Sequence, residues 1–132
     1  MSTPARRVLI VDDDPAIQRV LSQTLQLEGH EITIAGDGQE AIDKLDGYLP
    51  DVVILDVMMP RMNGYEVLAK IRSDQRTANL PVILLTAKSS IEDVWQGWHA
   101  GVDYYMTKPF DVEELLRFLE FVFAGGEQPP PD

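Results

Sequence analysis

The chain has 132 residues, 45% hydrophobic and 25% charged, a composition that suits one globular domain with a buried core. Lys and Arg number 11 against 22 Asp and Glu, and the net charge of -11 repels phosphate backbones, which argues against direct binding of DNA or RNA. The absence of cysteine excludes disulfides, thiol catalysis and zinc–thiolate sites, and no apolar run reaches membrane-spanning length.

The first residues, MSTPARR, contain no apolar stretch of signal-peptide length, so the expected location is the cytoplasm. Residues 1–5 read as an N-terminal arm and 6–123 as the folded domain. Within it, short β-branched runs alternate with helical patterns. The first run is Val8-Leu9-Ile10-Val11. Asp14-Pro15 then places a capping side chain before a proline at the first helical position. Ile17, Val20, Leu21 and Leu25 recur at helical spacing up to Gly29. Ile32 to Ala35 is the second run, and Asp37 and Glu40 have capping-box spacing. After Gly47 comes Val52 to Leu55, followed by Asp56 and the loop VMMPRMNG. Val67, Leu68 and Ile71 mark the third helix, and Val82 to Leu85 the fourth strand. Ser89 and Glu92 open a fourth helix that carries Trp95 and Trp98 and stops at Gly101. Val102 to Met106 is the fifth strand, and Asp111 with Glu114 caps a fifth helix. Residues 124–132, rich in glycine and proline, read as a flexible tail or linker. The pattern is α/β: (βα)5, a doubly wound five-stranded parallel sheet with helices on both faces.

Ligands of such sheets bind beyond the carboxyl ends of the strands. Those ends carry Asp12, Asp13 and Asp14, then Asp56, Thr86, and Thr107 with Lys108. Asp14 is better explained as a helix cap than as a ligand. The other carboxylates repel one another unless a cation sits among them. Hard oxygen donors suit Mg2+ (or Mn2+), which shares its shell with water and phosphate. A carboxylate can also act as nucleophile toward a phosphoryl group. Each residue taken singly could be a turn, a strand end or a surface lysine; their convergence is what argues for a site. His30 and His99 lack ligand spacing and read as surface or cap residues, and Met58, Met59 and Met62 as flexible filler over the site.

The segments VLIVDDDP (8–15), DVVILDVMMPRMNGYEVL (51–68), PVILLTA (81–87) and GVDYYMTKPF (101–110) together resemble the receiver domain of bacterial two-component response regulators, over residues 6 to 123. The resemblance implies a flavodoxin-like fold with strand order 2-1-3-4-5. It implies that Asp56 is the phosphoacceptor, served by a sensor histidine kinase or a phosphotransfer protein. Asp12 and Asp13 correspond to the metal-holding pair, with Asp13 favoured as the direct ligand, and the Met58 backbone carbonyl completes the shell. Thr86 and Tyr105 correspond to a switch pair in which Tyr105 turns inward as Thr86 moves toward the phosphoryl group. Lys108 corresponds to the site lysine, and Lys108-Pro109 to a cis peptide.

Two departures carry further expectations. Trp95, Trp98, Tyr104, Phe118 and Phe121 place an apolar patch on the face of the fourth helix, fifth strand and fifth helix, where relatives pair through charges. A hydrophobic homodimer or partner site is expected there. Met58 and Lys88 stand where related domains tune hydrolysis, and neither can orient a water, so a long-lived phosphoryl group is expected. The main alternative is a constitutive pseudo-receiver that never takes phosphate. A small-molecule phosphatase would want a second carboxylate where Met58 stands, and a flavodoxin would want a glycine- and hydroxyl-rich phosphate loop after the first strand.

Overall fold

The computed structural model describes residues 6–86, 104–108 and 110–124. Five parallel strands, β1 (Arg7–Val11), β2 (Glu31–Ala35), β3 (Val52–Asp56), β4 (Val82–Thr86) and β5 (Tyr104–Thr107), lie in the order β2-β1-β3-β4-β5. The described helices are α1 (Pro15–Leu27), α2 (Gly38–Leu45), α3 (Gly64–Ser73) and α4 (Val112–Phe123), the last being the fifth expected from the sequence. The expected fourth helix, with Trp95, Trp98, His99 and Gly101, lies outside the described residues, as do the N-terminal arm, Lys88, Pro109 and residues 125–132. Among the described residues no helix is long and apolar enough to cross a membrane.

The apolar runs become strands because a parallel sheet covered on both faces has no polar side to offer. Alternate residues sort to opposite faces. Leu9, Val11, Val53, Leu55, Val82 and Leu84 pack with α2 and α3, whereas Val8, Ile10, Val52, Ile54, Ile83 and Leu85 pack with α1 and α4. β1 pairs with β2 on one side (Val8 with Ile32) and with β3 on the other (Val8 with Val52). β3 and β4 are buried throughout, while β2, at the sheet edge, is partly exposed.

The helix ends are built largely as the sequence suggests. Asp14 accepts the Ala16 N–H at 2.9 Å and Asp37 the Glu40 N–H at 2.8 Å. The Glu40 carboxylate pairs with Lys44 at 3.5 Å rather than completing a capping box. Asp111 caps through the Glu113 N–H, one residue earlier than the expected Glu114. The full capping box belongs to Asn63 and Glu66 at the start of α3. Gly29, at φ +90°, closes α1: its N–H donates to Gln26 O and the His30 N–H to Leu25 O, a pair of bonds that a left-handed residue permits.

His30 departs from its reading as a surface or cap histidine. It is 8% exposed, its Nδ1 accepts the Arg6 N–H at 3.2 Å, and its ring lies 5.5 Å from that of Phe123. A residue from the end of α4 covers it, which no local pattern around Gly29 could indicate. Burial pushes the imidazole below its ordinary range; the Glu28 and Asp51 charges oppose this and Arg6 reinforces it.

Candidate functional site

The sheet order brings the ends of β1, β3, β4 and β5 side by side. Asp12 follows β1 and is 1% exposed. Its backbone is tied to β2 through Ala35 O, and its carbonyl accepts the Gln18 side-chain amide at 2.6 Å. Its carboxylate is divided: Oδ1 accepts the Asp14 N–H at 2.9 Å, and Oδ2 accepts Lys108 Nζ at 3.0 Å. Asp13 is exposed beside it. Asp56 is the last residue of β3 and is 3% exposed. Its Oδ1 receives Lys108 Nζ at 3.2 Å and the Met58 N–H at 3.4 Å. Oxygens of Asp12, Asp13 and Asp56 lie within 4.8 Å of one another.

The loop after Asp56 is held by close backbone packing. The Gly64 N–H donates to Val57 O at 2.9 Å, and α3 starts directly against the strand end. A Cβ on Gly64 would overlap the Asp56 carbonyl oxygen and meet Val57 Cα at 2.8 Å, so only glycine fits this approach. Arg61, at φ 69°, makes the tight turn in which the Met62 N–H donates to Pro60 O, and its guanidinium pairs with Asp37 at 3.2 Å. The three methionines divide: Met59 is buried and Met62 packs on the core, but Met58 is 69% exposed and so is not filler.

Lys108 reaches the site because its N–H donates to Thr86 O at 2.6 Å, locking the end of β5 to that of β4. Its ammonium then bridges two carboxylates from two other strands. Burial pushes the Asp56 carboxyl above its ordinary range and the nearby Asp12 carboxylate adds to this, while Lys108 and the Met58 N–H hold it down. For Lys108, burial works to depress the ammonium. The hydrogen bond to Asp12 and the charges of Asp12 and Asp56 outweigh it, and the net displacement is upward.

Thr86 is 3% exposed at the end of β4, in register with Thr107. Tyr105 is 6% exposed and already lies inward, in the cluster with Val57, Met59 and Leu84, and its hydroxyl is 3.2 Å from that of Tyr65. Of the apolar patch, Phe121 is 45% exposed and Phe118 half-buried. Tyr104 is covered by both rings, edge-on at 6.5 and 6.3 Å, so it supports the patch from beneath instead of presenting it. The roles of Gln18 and Tyr65 have no sequence signature of their own; only the fold brings them to this end of the sheet.

The family model described as response regulator receiver domain matches residues 8–120. The chain is 44% identical over 124 residues to the DNA-binding dual master transcriptional regulator RpaA of Synechocystis, covering 94% of this chain and 52% of that protein. It is 50% identical over 112 residues to the probable transcriptional regulatory protein TcrX of Mycobacterium tuberculosis, covering 85% of this chain and 47% of that protein. The chain thus spans about half the length of these curated relatives. Among solved structures, the chemotaxis protein CheY4 of Vibrio cholerae superposes with a TM-score of 0.86 at 37% identity, over 90% of this chain and 99% of that one. The beryllofluoride-activated DrrB receiver domain does so with a TM-score of 0.82 at 34% identity, over 92% of this chain and 99% of that one. Sequence, strand order and the strand-end acidic cluster agree, and the chain belongs to the response regulator receiver domain family.

Proposed function

We propose that this receiver domain accepts a phosphoryl group on Asp56 from a sensor histidine kinase or a phosphotransfer protein. The observation that carries the reading is the Lys108 ammonium bridging Asp12 Oδ2 and Asp56 Oδ1 beside a third carboxylate, Asp13. Oδ2 of Asp56, the oxygen engaged by neither Lys108 nor the Met58 N–H, attacks phosphorus. The bond from phosphorus to the donor breaks, and its electron pair leaves with the donor. Lys108, already positioned at the carboxylate, neutralises charge on the phosphoryl oxygens. Asp12, Asp13, Asp56 and the Met58 carbonyl are the groups that would hold Mg2+ (or Mn2+), and the hard, crowded oxygen set fits such an ion. When bound, the ion supplies further positive charge against the same oxygens. Thr86, at the end of the adjacent strand, provides a hydroxyl for the product. The domain catalyses only its own phosphorylation and dephosphorylation.

The phosphoryl group then biases a two-state surface formed by the expected fourth helix, β5 and α4, changing its preference for a second copy or an output partner. A groove lined by Glu114, Arg117, Phe118 and Phe121 lies on this face and suits an apolar contact. We place the exchange in the cytoplasm and assign the chain no direct contact with nucleic acid. The test is incubation with acetyl phosphate and Mg2+, followed by mass spectrometry. One phosphoryl group is expected on the wild type and none on Asp56→Asn. An unmodified wild type would favour the constitutive pseudo-receiver instead. Sedimentation at rising concentration tests the homodimer; a strict monomer with and without phosphate refutes it.

A further inference from the structure

We propose that Tyr65 is a positioning residue of the switch, its hydroxyl latching Tyr105 inward before any phosphoryl group arrives. The two hydroxyls are 3.2 Å apart, and either can donate. Tyr105 is 6% exposed within the cluster that includes Val57, Met59 and Leu84, so its ring is packed while its polar tip meets Tyr65. A buried phenol that finds a partner gains both the ring's burial and the bond, and a phenol turned to water keeps only hydration.

What makes Tyr65 more than a neighbour is how it is held. It is the second residue of α3, directly after Gly64. Gly64 is bonded to Val57 O and packed on the Asp56 carbonyl so closely that no side chain fits between. The backbone from which the Tyr65 side chain projects is therefore held against the end of the strand that carries the candidate nucleophile. On the other side, Tyr105 is in register with Leu84 on β4, two residues before Thr86. The hydroxyl pair joins the start of α3 to β5, across the end of the sheet. It favours the inward state in the unmodified protein, so part of the change expected on phosphorylation is already made.

The latch itself does not depend on phosphorylation; its effect on activation rests on the phosphoacceptor reading above. The test uses the full chain with Tyr65→Phe, Tyr105→Phe and the double variant. Two readouts are needed. The first is the set of ring-to-ring nuclear Overhauser contacts between residues 65 and 105 in anion-free protein. The second is the affinity for beryllofluoride in the presence of Mg2+, set against the affinity for Mg2+ alone. Tyr65→Phe is expected to weaken the ring contacts and to lower beryllofluoride affinity by up to about five-fold, with Mg2+ affinity unchanged. The double variant should lose less than the sum of the two single losses. Wild-type ring contacts together with wild-type anion affinity in Tyr65→Phe overturn the latch, as do losses that add fully. A wild type that ignores beryllofluoride refutes the phosphoacceptor reading instead, and the ring contacts alone then decide the latch.

Discussion

Replacing Lys108 by methionine removes one charge and keeps most of the side chain's length. The ammonium it removes lies 3.0 Å from Asp12 Oδ2 and 3.2 Å from Asp56 Oδ1. At an effective dielectric of about 20, each contact is worth about 5 kcal/mol before desolvation, against at least about 3.5 kcal/mol of repulsion for each pair of carboxylates within 4.8 Å. Most of this cancels. The lysine side chain is 20% exposed, its burial is itself unfavourable, and Asp56 can take up a proton. The net loss expected at about pH 7 without divalent metal is about 2 kcal/mol. The pH dependence follows from Asp56, whose folded-state carboxyl already binds its proton more tightly than the ordinary value of 3.8. Loss of Lys108 raises it further. The deficit is therefore full above the variant's folded-state value and shrinks as pH falls through it. Urea unfolding followed by circular dichroism, with chelator, at neutral and acid pH measures this. Mg2+ should stabilise Lys108→Met more than wild type, and adding Asp56→Asn should recover over half the loss. A deficit below about 0.5 kcal/mol, or one independent of pH, refutes the account of Lys108 as the cation that makes the acidic cluster tolerable.

Gly64→Ala should cost about 2–3 kcal/mol in the same assay and slow acetyl phosphate uptake, because backbone atoms rather than a movable side chain occupy the space. Stability should fall as pH drops below the ordinary histidine value of 6.5: the folded imidazole of His30 resists protonation, so its contribution is complete above that value and lost as pH falls through the lowered one. His30→Gln should flatten that part of the pH–stability curve. Purified phosphorylated protein should lose label slowly, and Met58→Asn, which adds a carboxamide at an exposed position beside Asp56, should shorten the half-life.

Much of the architecture can be read without coordinates. The runs at Val8, Val52 and Val82 are apolar throughout because their strands are covered on both faces, and Asp14 and Asp37 cap helices as their spacing suggests. Listing the strand ends names Asp12, Asp13, Asp56, Thr86 and Lys108 as neighbours. What could not be read is how they share atoms. Nothing in the sequence says that one ammonium divides itself between Asp12 and Asp56, or that Asp12 spends its other oxygen on the Asp14 N–H. His30 looked exposed because its cover, Phe123, is supplied by the last helix. Tyr104 looked like a surface aromatic for a similar reason, since the rings above it stand on α4. These misreadings concern long-range packing, which local periodicity does not encode.

The bond between Lys108 and Asp12 joins residues 96 positions apart. A chain emerging from the ribosome presents Asp12 and Asp56 long before the lysine that pairs with both. Domains fold as units during synthesis, and here the acidic cluster gains its cation only when the last strand docks beside the fourth. Nascent chains lacking β5 therefore carry the candidate acceptor without the ammonium that prepares it. On the reading of Asp56 as acceptor, the site is completed late in translation, by the strand at the far edge of the sheet.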